Sequence, residues 1–189
     1  LIRRLLVSCV LPFSLLIACG LLTTLHVRSA QAQSAPLEYQ VKAALLYQFA
    51  KFVEWPAQTF EATQNALCIG VIENDLMANA LSSIEGKEVK GRRIVIKQVK
   101  PSDPMDFCHI LFIGSGMEDR LKGLLDRLKA TSTLTVGDLN GFARRGGMIG
   151  LLTVENKIRF EINLEAAERA HLQISSHLLR LARIVTGGR

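Results

Sequence analysis

Three short, almost wholly apolar runs punctuate this chain: Cys68-Ile69-Gly70-Val71-Ile72, Cys108-His109-Ile110-Leu111-Phe112-Ile113 and Leu134-Thr135-Val136. Each is too short for a buried helix and has the continuous apolar character of a strand covered on both faces. Helical patterns lie between them. Residues 37–53 carry apolar side chains at 37, 41, 44, 45, 49, 52 and 53, a spacing that predicts a helix with a broad buried stripe. Pro36 sits at its start, and Pro56 ends it by disfavouring helical geometry at Trp55. A short helix is expected over 75–84, an alternating strand over 93–99, and an amphipathic helix over 118–130 built on Leu121, Leu124, Leu125 and Leu128. Residues 148–154 and 157–162 flank Glu155-Asn156 as a hairpin, and two C-terminal helices follow, with Asn163 and Ser175 as caps. Strands alternating with helices and closing on a hairpin predict an α/β fold, a mixed sheet with helices on both faces.

Composition matters most at the N-terminus. With 49% hydrophobic and 21% charged residues the chain is neither disordered, nor a polytopic membrane protein, nor a small disulfide scaffold. The excess hydrophobicity is local: residues 5–25 contain no charge, follow Arg3 and Arg4, and lead to Ser29-Ala30-Gln31-Ala32. A basic segment, an apolar segment and an Ala-x-Ala site predict a signal peptide over 1–32, leaving 33–189 as one exported domain in a Gram-negative periplasm. Two alternatives stay open: an uncut membrane anchor, and lipidation at Cys19 within Leu16-Ile17-Ala18-Cys19-Gly20. Arg3, Arg4 and Arg28 hold half of the net charge of +6, so the body is only mildly basic and gives no argument for nucleic-acid binding. The basic stretch 87–100 alternates with Val and Ile and reads as a solvated strand face.

Cys9 and Cys19 belong to the leader, which leaves Cys68 and Cys108 in the body. Two cysteines in an oxidising compartment are expected to pair, and strands that start with them would bring them within reach. On the chain-entropy model such a crosslink is worth roughly 4 kcal/mol. A metal reading of Cys68, Cys108 and His109 is the weaker one, with three scattered donors and no short-range cysteine pair.

Chemistry-bearing motifs are sparse. Gly114-Ser115-Gly116 joins a strand to a helix, where backbone amides can hold an anion. It lacks the third glycine of a dinucleotide fingerprint (Asp119 stands there), so a plain tight turn is the stronger reading. Ser115 lacks the elbow glycine at Ile113, and nothing assigns His109 and Asp138 as its triad partners. Gly141-Phe142-Ala143-Arg144-Arg145-Gly146-Gly147 places two arginines among glycines, either as a grip for phosphate or carboxylate or as a turn with solvated arginines. Trp55 and Tyr47 read as core or helix-end packing, and His171 and His177 as surface or capping residues.

One pattern runs through nearly the whole body. Val41-Lys42-Ala43-Ala44-Leu45-Leu46-Tyr47-Gln48-Phe49-Ala50-Lys51-Phe52-Val53-Glu54-Trp55-Pro56 resembles the opening of the YfiR family of small periplasmic proteins. The two cysteine-led runs follow in order, then Leu134-Thr135-Val136-Gly137-Asp138, Gly141-Phe142-Ala143 and Gly146-Gly147-Met148-Ile149. The pattern closes on Lys157-Ile158-Arg159-Phe160-Glu161-Ile162-Asn163-Leu164 and Ile174-Ser175-Ser176-His177-Leu178-Leu179-Arg180-Leu181-Ala182.

The resemblance implies a three-layer α/β/α sandwich that binds other proteins, without catalysis or cofactor. It implies a periplasmic repressor of an inner-membrane diguanylate cyclase, acting on that enzyme's periplasmic sensor region and so lowering cyclic di-GMP and biofilm formation. An outer-membrane lipoprotein that sequesters the repressor, and a homodimer, are further partners it implies. Cys68 and Cys108 match the family's structural pair. A second pair present in some relatives has no counterpart around 141–150. Trp55, Arg144, Arg145 and Ser115 are the expected contact residues for a partner or ligand. The alternative is a periplasmic small-ligand sensor acting on another receptor through the loops at 114–116 and 141–147.

Overall fold

The computed structural model describes residues 36–187; the expected signal peptide, its cleavage site and Cys19 lie outside the described residues. In chain order the elements are α1 (Leu37–Phe52), β1 (Val53–Glu54), β2 (Leu67–Ile72), α2 (Asp75–Leu81), β3 (Glu88–Val89), β4 (Arg92–Gln98), β5 (Ile110–Ile113) and α3 (Leu121–Leu128). They continue with β6 (Leu134–Gly137), β7 (Ile149–Val154), β8 (Lys157–Asn163), α4 (Leu164–Arg169), β9 (Gln173–Ile174), α5 (Ser176–Leu181) and β10 (Arg183–Val185). Short 3-10 helices occupy Ala57–Thr63 and Ser115–Arg120.

Eight strands form one mixed sheet in the order β10-β8-β7-β6-β5-β2-β4-β3. From β4 through β7 neighbours run parallel, β8 returns antiparallel to β7, and β10 lies parallel to β8. Glu155 and Asn156 turn the β7–β8 hairpin with φ of 50° and 58°, the left-handed pair that a two-residue turn needs to match strand twist. A separate two-stranded ribbon pairs β1 with β9, placing Val53 opposite Ile174.

Two apolar cores flank the sheet. One includes Leu46, Phe49, Met77, Ile69, Phe112, Val136, Ile149 and Leu178, so α1, α2, α4 and α5 cover one face. The other gathers Ile72, Leu111, Ile113, Met117, Leu121, Leu124, Leu128 and Phe142, with α3 and the loop after β6 on the opposite face. This is the three-layer α/β/α arrangement that the sequence pattern and the resemblance imply.

Three details differ from the sequence reading. In α1, Leu37, Val41 and Ala44 are exposed, while Lys42, Ala43, Leu46, Phe49 and Ala50 are buried. The helix is apolar on nearly all sides, so spacing does not single out the buried stripe. Packing and the ion pairs of Lys42 do. The helix expected over 118–130 is α-helical only over Leu121–Leu128, because the chain leaves β5 through a 3-10 turn held to the end of β2. The short strands β1, β3, β9 and β10 carry no period to read and exist through tertiary pairing alone. Both expected C-terminal caps are present: Asn163 accepts from the Ala166 amide and Ser175 from that of Leu178.

Candidate functional site

In the parallel part of the sheet, the chain passes from β2 to β4 on one side and then to β5 on the other. The carboxyl ends of β2 and β5 therefore form the topological switch point where open α/β sheets place ligands. Here the two ends touch. A side chain on Gly114 would come within 2.4 Å of the Glu73 carbonyl, so only glycine fits. The Glu73 carboxylate lies over Gly116 and pairs with Arg120 at 3.3 Å. Ser115 is exposed on this turn beside a carboxylate, an unfavourable setting for a second anion.

Next along this edge, Lys42 of α1 is buried and bonds Asp138 at 2.6 Å and Glu38 at 2.8 Å, with its ammonium 4.7 Å from the Tyr39 ring centre. Burial works to lower the Lys42 pKa, but its hydrogen bonds and charge contacts with Asp138 and Glu38 outweigh this and raise it. The Lys42 hydrogen bond holds the Glu38 carboxyl below its usual range. Sequence reading missed this cluster. Its only signal was a lysine inside a helix whose neighbours are Ala and Leu.

The loop after β6 folds back over the sheet. Phe142 is fully buried against Gly137 and Gly147, whose missing side chains make room for its ring. Arg144 reaches the buried carboxylate of Glu161 on β8 at 3.4 Å, and Arg183 of β10 binds the same oxygen. Arg145 binds the Glu118 carboxylate, and its other nitrogen donates to the Glu118 carbonyl at 3.2 Å. The Arg145–Glu118 contact brings the loops at 114–120 and 141–147 together. Both arginines are exposed, as the reading of a turn with solvated arginines has it, and each also holds a carboxylate of the protein itself. A cleft of about 740 Å³ opens beside them, lined by Arg144, Arg145, Lys122, Lys129 and Leu125, with Asp126 among the charges.

Trp55 lies at the other end of β5. Its indole nitrogen donates to the His109 carbonyl at 3.0 Å, so Trp55 and Ser115 flank opposite ends of one strand and form no common site. The His109 ring is buried and stacked on Phe60 with ring centres 4.2 Å apart, and the guanidinium of Arg92 lies 3.8 Å from the Phe60 ring centre. His109 Nδ1 accepts from the Cys68 amide at 3.0 Å, which fixes a neutral imidazole with its proton on Nε2. Burial pushes the His109 pKa down to about 4, the Arg92 charge adds to this, and a backbone contact with Thr59 opposes it. With Nδ1 committed to an amide, His109 is poorly placed as a metal ligand. Among the described residues no cluster of three or more His, Cys, Asp and Glu could hold an ion.

Cys68 and Cys108 are buried where β2 and the approach to β5 run side by side, and the His109 amide donates to the Cys68 carbonyl at 2.9 Å. Both thiols are buried and unbonded in this structure. Interaction with Cys108 lowers the Cys68 pKa against the opposing effect of burial, and interaction with Cys68 together with burial raises that of Cys108.

No curated protein matches the chain. A family model described as YfiR/HmsC-like matches residues 39–183, a span that opens within α1, takes in both cysteines, Trp55 and the arginine loop, and ends at β10. With the pattern of blocks and the sandwich now both accounted for, the chain belongs to the YfiR/HmsC-like family.

Proposed function

We propose that this chain is a periplasmic protein that represses an inner-membrane diguanylate cyclase by binding its periplasmic sensor region, lowering cyclic di-GMP and biofilm formation. The observation that carries this reading is the family match across residues 39–183. The family is one of periplasmic regulators of diguanylate cyclase signalling. Among the described residues no helix is long and apolar enough to cross a membrane. Repression works by population shift: the regulator binds the inactive conformation of the sensor more tightly than the active one, and the difference in affinity sets the extent of inhibition. Trp55 and the loop bearing Arg144 and Arg145 are the contact elements in this reading. An outer-membrane lipoprotein relieves repression by sequestering the regulator, and the regulator can form a homodimer.

Deleting the gene should raise cyclic di-GMP and biofilm, and the protein should co-purify with the membrane cyclase encoded nearby. Unchanged cyclic di-GMP together with no co-purification would sink the proposal.

The cleft beside Arg144 and Arg145 favours a second reading, a small-ligand sensor acting on another membrane receptor. A thermal-shift screen with nucleotides and amino acids separates the two, since a ligand that binds only the folded state raises the melting temperature.

A further inference from the structure

A smaller cavity of about 100 Å³ lies under Trp55, at the end of the molecule opposite the arginine loop's partner Glu118 along β5. Its walls include Trp55, Phe60 and Leu67, with Glu54, Lys90 and Arg92 as its charged residues. Lys90 is fully engaged: its ammonium donates to the Val53 carbonyl at 2.8 Å and to Glu54 at 2.5 Å, so these two charges cancel. Arg92 is not so matched. Its guanidinium stacks on Phe60 at 3.8 Å, its Nε is buried without a hydrogen-bond partner, and its Nη1 reaches only the Lys90 carbonyl at 3.4 Å. Among the described residues it forms no ion pair with a carboxylate, whereas Lys42, Lys90, Arg144 and Arg145 all do. Behind Phe60 the neutral ring of His109 adds no charge.

Arg92 lines the cavity half-buried, and apart from the long Nη1 contact its outer guanidinium nitrogens have no hydrogen-bond partner among the described residues, so an anion in the cavity would give them a charge-assisted bond. A carboxylate suits it best, because a charge-assisted bond to arginine is stronger than one to a neutral acceptor. The aromatic and aliphatic walls call for a short apolar stem. A cavity of about 150 Å³ holds benzene, so this one holds about four or five non-hydrogen atoms.

We propose that the Trp55 cavity is a binding site for a short-chain monocarboxylate of the size of acetate or propionate, with Arg92 as the residue that holds the anion. The site stands whether or not the protein's partner is a diguanylate cyclase.

Trp55 is the chain's one tryptophan and lines the cavity, so its emission reports on occupancy directly. The full mature protein is titrated with sodium propionate and, separately, with propionamide, at ionic strength held constant with sodium chloride. Propionate should give a saturable change in emission and propionamide none. Arg92→Met keeps the stem over Phe60 and should weaken the propionate response about tenfold or more, whereas Arg92→Lys should retain part of it. The absence of any saturable change, an equal response to the amide, or an undiminished response in Arg92→Met overturns the proposal. Should Arg92→Met fail to fold, the contrast between acid and amide on the unmodified protein and the Arg92→Lys titration decide it.

Discussion

At the scale of single residues, the most consequential side chain is Lys42. Its side chain is 5% exposed and that of its partner Asp138 12% exposed, so removing one charge strands the other in a poorly solvated place. Lys42→Met should lower stability by about 3 kcal/mol in urea denaturation, and Asp138→Leu in the same chain should recover much of that loss. His109 sets the acid response. Its folded pKa is about 4 against 6.5 for an ordinary histidine, so the unfolded chain binds the extra proton between those values. Stability is therefore full above pH 6.5 and falls by about 3 kcal/mol as pH drops towards 4, and His109→Gln should flatten that slope. Glu38, whose pKa is lowered, begins to contribute only below its ordinary value of 4.5, outside most of this window. We expect Cys68 and Cys108 to be joined in the exported protein. Thiol counting on denatured, unreduced material should find none in the body, and two would refute the bond.

At the scale of elements, the glycines divide by what surrounds them. Gly123 sits exposed in α3 with no atom near the place a side chain would fill, so Gly123→Ala should raise stability by about 1 kcal/mol through helix propensity. Gly147 faces the buried Phe142 ring, where a methyl group would fall within 2.1 Å, so Gly147→Ala should cost about 1–3 kcal/mol as overpacking. Thermal unfolding of the two variants should move in opposite directions. The longer elements were legible because Cys68–Ile72 and Leu121–Leu128 declare their burial by unbroken or periodic apolar residues. The buried face of α1 was not, because Leu37 and Val41 look as apolar as Leu46 and Ala50. Nor was Arg92, which in sequence is one of several basic residues on an alternating strand. Only its stack on Phe60 and its buried, unpartnered Nε set it apart.

At the scale of the whole molecule, β10 closes one edge of the sheet and ties the chain's end to its middle. Glu161 of β8 is 2% exposed and is held by both Arg183 of β10 and Arg144 of the loop after β6. Ending the chain after Ala182 removes Arg183 and the buried Val185 and uncovers the edge of β8. Stability should fall by about 3 kcal/mol, measured as a shift in denaturation midpoint with an unchanged sheet signal. The arginine loop would then bear on Glu161 alone. A partner that reads Arg144 and Arg145 should accordingly bind the shortened chain more weakly than the full one.

By itself the sequence determined the layered α/β fold, the order of its main strands and helices, and the family, because continuous apolar runs, helical spacing and turn residues act locally and leave their period in the chain. It also singled out Trp55, Cys68, Cys108 and the arginine loop by residue type. Tertiary structure alone decided which of those residues share a place. It set Trp55 and Ser115 at opposite ends of β5, gave Arg144 and Arg145 their carboxylates, and joined Lys42 to Asp138 across 96 positions of sequence. It also left the Arg92 Nε buried without a hydrogen-bond partner among the described residues. The reason is physical: the pairing of charges and the desolvation of a polar group depend on distances between elements far apart in the chain, and no local pattern encodes them.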